Sequence, residues 1–165
     1  GLGRIGEQVA RAAQALGANI LVWGREGSRQ KAAENGWTVA ASREAFFAQA
    51  DVLCILIRLS PQTRGHVTVE DLARMKPDAI LVNTARAELI QPGALVAALR
   101  AGRPGFAAVD VYEQEPVLKE RHPLQDMPNC LCTPHLGFVE LDNYESYLGQ
   151  TFDHINQYAA SGAAG

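Results

Sequence analysis

Apolar residues recur along this chain at two different spacings, and the two alternate. From Arg4 to Leu16 the apolar positions Ile5, Val9, Ala12, Ala13 and Leu16 repeat every three or four residues, the stripe of an amphipathic helix that Gly17 ends. "NILVW" (19–23) then forms a short apolar run of strand length. The alternation continues with a helix over 28–35, a brief strand at "WTVA" (37–40) and a helix over 43–49. Ser42 is placed to cap that helix, with Glu44 near its positive end. "DVLCILI" (51–57) is apolar almost throughout, as expected of a parallel strand covered on both faces. "AILVN" (79–83) and "FAAV" (106–109) look alike, and "CLCT" (130–133) is the last such run. Between them the pattern predicts helices at about 69–75 and 92–101, the second with Pro92 in its first turn. Residues 113–129 hold three prolines and little periodicity, which predicts a long functional loop. A helix is expected over 140–160 and a flexible tail over 161–165.

Repeated strand–helix units with apolar strands predict an α/β fold with a doubly wound parallel sheet. In such sheets ligands sit beyond the carboxyl ends of the strands, so the residues after each apolar run carry the chemical information. "AILVN" is followed by Thr84, Ala85 and Arg86; "FAAV" by Asp110 and then Glu113 and Glu115; "CLCT" by Pro134 and His135. A glycine-rich turn, "GLGRIG", opens the first helix and belongs to the same edge. Any one of these residues alone is an ordinary loop residue. Together they form a chemical set: a histidine able to exchange protons near neutral pH, a carboxylate to orient it, and a guanidinium to grip an anion.

Composition narrows the field. With 165 residues, 47% apolar and 20% charged, the chain is large enough for a core and is not of disordered type. A net charge of −3 gives no basic stripe for nucleic acid. No apolar run approaches membrane-spanning length and no signal peptide is visible, so a reducing, cytoplasmic setting is expected. Cys54, Cys130 and Cys132 have neither metal nor disulfide-framework spacing and are expected to be small buried side chains; no metal site is expected.

The motifs "GLGRIG", "ADVLCILIRLSPQTRG", "MKPDAILVNTARAELI", "AAVDVYEQEP" and "LCTPHLG", in this order and spacing, resemble the D-isomer-specific 2-hydroxyacid dehydrogenases. The resemblance covers nearly the whole chain and implies a Rossmann-type dinucleotide-binding domain, over 1–160, without its substrate domain. It implies that Arg86 of "NTAR" binds substrate, that His135 of "TPH" is the general acid/base, and that Glu115 of "DVYEQEP" is its paired carboxylate. Glu113 falls off the motif and is expected to be solvated. Gly1, Gly3, Arg4 and Ile5 match the pyrophosphate turn, with Gly6 allowing close packing of helix on strand. Asp110 matches the aspartate near the nicotinamide carboxamide, and Thr84 joins the cofactor set. The implied reaction is hydride transfer between a nicotinamide cofactor and a small D-2-hydroxy or 2-oxo acid, with glyoxylate or hydroxypyruvate reduction as candidates, in a homodimer. The C-terminal-binding-protein corepressors share much of this motif set, so a cofactor-sensing binding protein is the alternative.

Three departures from the pattern bear on this reading. Ala87, followed by Glu88, stands after the arginine where the family has glycine. Leu56 and Arg58 stand in a strand that often carries histidine and proline, and Arg58 faces either cofactor or solvent. Gly24 stands where NAD-preferring members carry an aspartate, which would accept hydrogen bonds from the ribose and repel a 2′-phosphate. Arg25, Ser28 and Arg29 follow it, so NADP is favoured over NAD. A glycine turn of this kind normally follows a buried strand, and here Gly1 is the first residue. The first strand of the sheet is therefore expected to be missing, and the chain alone to be poorly stable.

Overall fold

The computed structural model describes residues 1–118 and 121–161. Six helices and six strands alternate along it: α1 (Arg4–Ala15), β1 (Leu21–Val22), α2 (Glu26–Glu34), β2 (Thr38–Val39), α3 (Arg43–Gln49), β3 (Val52–Ile55), α4 (Val69–Arg74), β4 (Ile80–Asn83), α5 (Ala94–Ala101), β5 (Phe106–Val109), β6 (Cys130–Cys132) and α6 (Leu141–Ala160). The chain forms two compact units, the first ending at His135 and the second beginning at Leu136.

The first unit has the expected parallel α/β layering. β3, β4, β5 and β6 form a four-stranded sheet in sequence order, all pairs parallel, with Asn83 opposite both Ile55 and Val109. β1 and β2 form a separate two-stranded parallel sheet. Between them runs a cleft of about 580 Å³, lined by Val9, Ala10 and Ala13 of α1, Val22 of β1, and Leu53 and Cys54 of β3. Among the described residues, β1 pairs only with β2 and β3 only with β4, so the cleft separates two unpaired strand edges. That is the position expected for a strand leading into the glycine turn.

The core lies on one side of the larger sheet. Leu53 and Ile55, Leu81, and Ala107 and Val109 alternate inward and pack with Phe47 of α3, Leu72 of α4 and Leu95, Ala98 and Leu99 of α5. On the opposite face Val52, Ile80 and Phe106, which open the strands, are exposed, and Cys54, Val82 and Ala108 are half-buried. The expected cover on both faces is therefore found on one only, because α3, α4 and α5 pack on the same side.

The open cleft also alters α1. Its apolar stripe predicts a buried line through Ile5 and Leu16, yet these are 71% and 90% exposed. The helix buries Gly6 and Ala10 instead, the positions that approach the turn and the cleft. Gly17, at φ +91, ends it as expected. Ser42 caps α3, its hydroxyl accepting the Ala45 N–H at 3.1 Å. α5 begins two residues later than the pattern predicts, because Gly93 precedes it in the left-handed region (φ 74) and leaves Pro92 in the preceding turn. α2 begins two residues earlier than predicted, at Glu26. The long loop after β5 holds one ordered turn of 3-10 helix, Pro123–Asp126.

A buried ion pair ties α3 to α4. Arg43 donates to both carboxylate oxygens of Asp71, at 2.8 and 2.6 Å, and Asp71 also accepts the Thr68 N–H in a capping box that opens α4. Burial pushes the Asp71 carboxyl upward, but the hydrogen bonds from Arg43 and Thr68 outweigh it and hold the group below its usual range.

In the second unit, Glu140 caps α6 by accepting the Asp142 and Asn143 N–H groups, and none of the helix's residues is buried. Of the tail expected at 161–165, Ser161 continues from α6 and the rest lies outside the described residues.

Candidate active site

The glycine turn is built by close approach. A Cβ on Gly1 would stand 2.5 Å from the Leu56 carbonyl oxygen, and one on Gly6 only 2.0 Å from the Gly1 carbonyl oxygen. Neither position admits a side chain, so Gly6 lets the first turn of α1 close on the loop as expected. A Cβ on Gly3 would meet nothing within 4 Å. Gly3 thus caps a twelve-residue helix beside open space, and Arg4 and Ile5 are exposed in its first turn. Unpaired N–H groups and the positive end of the helix dipole suit this space to a phosphate. The residues present fit a dinucleotide.

The end of β1 carries the second part. Gly24 packs against Ser28, whose Cβ would lie 3.0 Å from a Cβ added to the glycine. Arg25 is exposed and caps α2; Ser28 and Arg29 are half-buried. Arg29 is held in place, its Nε donating to the Gly24 carbonyl at 2.9 Å and its guanidinium lying 4.4 Å from the centre of the Trp23 ring. Glu26, which opens α2, adds a carboxylate here that the glycine–arginine pattern does not bring into view.

At the end of β4 the backbone turns around a buried side chain. Asn83, 1% exposed, accepts the Ala85 N–H at 3.1 Å and donates to the Arg86 carbonyl at 2.9 Å. This local turn leaves Thr84 and Arg86 exposed at the sheet edge. Ala87 and Glu88 then enter a short 3-10 turn, Ala87–Leu89, with Ala87 buried and Glu88 3.8 Å from Arg64. The structural part of Asn83 was open to inference only as a polar residue ending an apolar strand. Arg58 is exposed.

The ends of β5 and β6 are joined at two levels. Asp110, 4% exposed, accepts the Thr133 hydroxyl at 2.5 Å, and the Tyr112 hydroxyl donates to the Thr133 carbonyl at 3.0 Å. Glu115 then meets His135: Oε2 lies 2.5 Å from Nδ1, while Oε1 accepts the Tyr112 N–H at 2.7 Å. His135 is in the left-handed region (φ 52), a conformation rare for a residue with a side chain. Burial raises the Glu115 carboxyl, but the hydrogen bonds from His135 and the Tyr112 backbone, with the charges of His135 and Arg86, hold it below the usual range. Arg86, Glu115 and His135 follow the adjacent parallel strands β4, β5 and β6 and so share one edge of the sheet. Glu113 is exposed, as expected, and is also paired with His122 at 2.9 Å.

The cysteines are half-buried rather than buried. Cys130 and Cys132 have their sulfurs 3.8 Å apart, and burial with the neighbouring thiol pushes Cys130 up to about 12, so it stays protonated. Among the described residues no group of three or more potential metal ligands gathers, and no helix is long and apolar enough to cross a membrane.

Residues 1–137 match the model of the D-isomer specific 2-hydroxyacid dehydrogenase NAD binding domain. The chain belongs to this family. The crystal structure of a putative D-3-phosphoglycerate dehydrogenase from Ralstonia solanacearum superposes with a TM-score of 0.92 at 50% identity, over 98% of this chain and 47% of that one. Glyoxylate reductase of Aeropyrum pernix is 40% identical over 82% of this chain and 40% of its own length. Hydroxypyruvate reductase of Blautia hydrogenotrophica is 31% identical over 96% and 48%. The chain thus spans about half or less of the length of these relatives. All three are named as reductases or dehydrogenases, and nothing in them favours the corepressor alternative.

Proposed function

We propose that the full protein is an NAD(P)-dependent oxidoreductase that interconverts small D-2-hydroxy acids and 2-oxo acids, with glyoxylate and hydroxypyruvate its leading substrates. The observation that carries the reading is the His135–Glu115 hydrogen bond, set on the same edge as Arg86. The named activities of the glyoxylate and hydroxypyruvate reductase relatives point to the substrates.

Gly1, Gly3, Arg4 and Ile5 would hold the pyrophosphate, Gly24, Arg25, Ser28 and Arg29 the adenosine ribose, and Thr84 and Asp110 the nicotinamide side. The chemistry that a reduced nicotinamide supplies there is hydride delivery to C2 of a 2-oxo acid. Arg86 grips the substrate carboxylate and polarises its carbonyl with a forked, permanently charged donor. His135 gives its proton to the oxygen that becomes the hydroxyl, and takes it back in the reverse direction. Glu115 accepts a hydrogen bond from Nδ1–H, which fixes the ring and leaves the exchanged proton on Nε2. Held below the usual carboxylate range, it stays ionised, the state that stabilises a protonated imidazole.

NADP is the favoured cofactor within this reading. Gly24 brings no carboxylate against a 2′-phosphate, and Arg29 is already oriented by Trp23 and the Gly24 carbonyl. Steady-state rates with NADPH and NADH on glyoxylate and hydroxypyruvate test both levels together. The expected result is turnover with either acid and a higher kcat/KM with NADPH. Arg29→Ala is expected to lower kcat/KM for NADPH about 10- to 100-fold, the worth of one charge-assisted contact, and that for NADH little. A strong preference for NADH would overturn the cofactor assignment; no turnover with any 2-oxo acid would overturn the function. A cytoplasmic homodimer completes the proposal.

A further inference from the structure

The loop that carries Glu115 is not held by packing alone. A cavity of about 210 Å³ lies beside it, lined by Asn83, Val109, Val111, Glu113, His122 and Leu124. Space of that kind lets a loop drift unless specific bonds pin it. The pins are visible. His122 meets Glu113 Oε2 through Nε2 at 2.9 Å, while its Nδ1 accepts the Leu124 N–H at 3.3 Å. The neutral ring therefore carries its proton on Nε2 and donates it to Glu113. Its backbone N–H donates to Gln125 Oε1 at 3.0 Å, which fixes the turn behind it. The imidazole also lies against Tyr112, ring centres 5.2 Å apart and tilted by 60°.

Tyr112 is where this assembly reaches the acid/base pair. It is 7% exposed, and it bonds to Glu115 and to the strand end that leads to His135. Its backbone N–H donates to Glu115 Oε1, and its hydroxyl donates to the carbonyl of Thr133, two residues before His135. A shift of Tyr112 therefore moves the glutamate and the strand end bearing the histidine relative to each other. Displacements of about 1 Å at such a pair are costly to proton transfer.

We propose that the Glu113–His122 pair is a latch on this loop and that, acting through Tyr112, it positions Glu115 against His135. Both are positioning residues that touch neither substrate nor cofactor, and the role rests on the function proposed above. Glu113 is half-exposed, so its removal tests the latch with little burden on folding.

In the full-length enzyme, Glu113→Ala and His122→Ala are each expected to lower kcat for 2-oxo acid reduction about tenfold, with KM and cofactor affinity unchanged. The double variant is expected to be no worse than either single one. His122→Gln, which keeps a donor to Glu113, is expected to recover most of the rate. On a His135→Ala background, Glu113→Ala is expected to have no further effect, because the latch acts through the imidazole. The proton NMR signal of the His135 Nδ1–H, bonded to Glu115, is expected to move or broaden in Glu113→Ala, a readout independent of turnover. An unchanged kcat, equal losses in KM and cofactor affinity, or a full tenfold loss persisting in His135→Ala would overturn the latch. If the wild-type enzyme turns over no 2-oxo acid, the function proposal fails separately. The His135 signal then decides the latch by itself: a shift supports it and an unchanged signal overturns it.

Discussion

Replacing His135 by alanine in the full-length enzyme is expected to cut kcat for 2-oxo acid reduction about a hundred- to ten-thousand-fold, the usual contribution of a positioned acid/base. Cofactor affinity is expected to stay within about twofold of wild type, because the groups assigned to the dinucleotide lie on the glycine turn and on the ends of β1, β4 and β5. The geometry explains why the loss is large. The imidazole is fixed by a 2.5 Å hydrogen bond to a carboxylate that its surroundings keep ionised. Its backbone occupies a left-handed conformation that costs of order 1–3 kcal/mol and persists only where surrounding structure enforces it. Glu115→Gln should give a smaller loss, since an amide still orients the ring but carries no charge. Steady-state kinetics with a separate cofactor-binding titration distinguish these outcomes. Parallel losses of turnover and cofactor affinity would show that His135 supports the fold rather than the reaction.

The largest expected effect on stability is at Asp71. Asp71→Ala removes one partner of a buried, doubly hydrogen-bonded ion pair and should destabilise the first unit by about 3–5 kcal/mol. Its side chain is 6% exposed, while the Arg43 side chain left behind is 28% exposed and keeps partial access to solvent, which places the loss toward the lower end of that range. The Thr68 cap that opens α4 goes with it. The sign of the pH dependence follows from the direction of the shift. Asp71 ionises more readily folded than unfolded, so its contribution is complete above the ordinary carboxylate range and is lost as pH falls through its lower folded value. Urea denaturation of the full-length enzyme is expected to show the loss at neutral pH, with a gap between wild type and Asp71→Asn that narrows in acid. A gap independent of pH would contradict the assignment of that shift.

How far the residue pattern leads depends on the range of the interactions involved. Local signals held: Ser42 caps α3 through an N–H three residues away, and the apolar runs at 51–57, 79–83, 106–109 and 130–133 all contain parallel strands. Arg86, Glu115 and His135 follow strands of one sheet, and adjacent parallel strands end at one edge, so their convergence was legible. What was hidden depends on pairs distant in sequence or on a covering layer. The pairing of Glu113 is hidden because its partner, His122, lies nine residues on in an aperiodic loop. The stripe of α1 and the apolar alternation of β3, β4 and β5 record which residues are apolar, and not which side is covered. The stacking of Arg29 on Trp23 needs the turn at Gly24, which the composition of the loop does not specify.

The central claim is direct hydride transfer governed by Arg86, Glu115 and His135, and isotopic labelling tests it most directly. The full-length enzyme would be given glyoxylate or hydroxypyruvate with reduced nicotinamide cofactor carrying deuterium at the transferring position of C4. Mass spectrometry and NMR of the product are expected to find that deuterium at C2, with the hydroxypyruvate product in the D configuration. Label retained in the cofactor or released to water, or a product of the L configuration, would contradict the account.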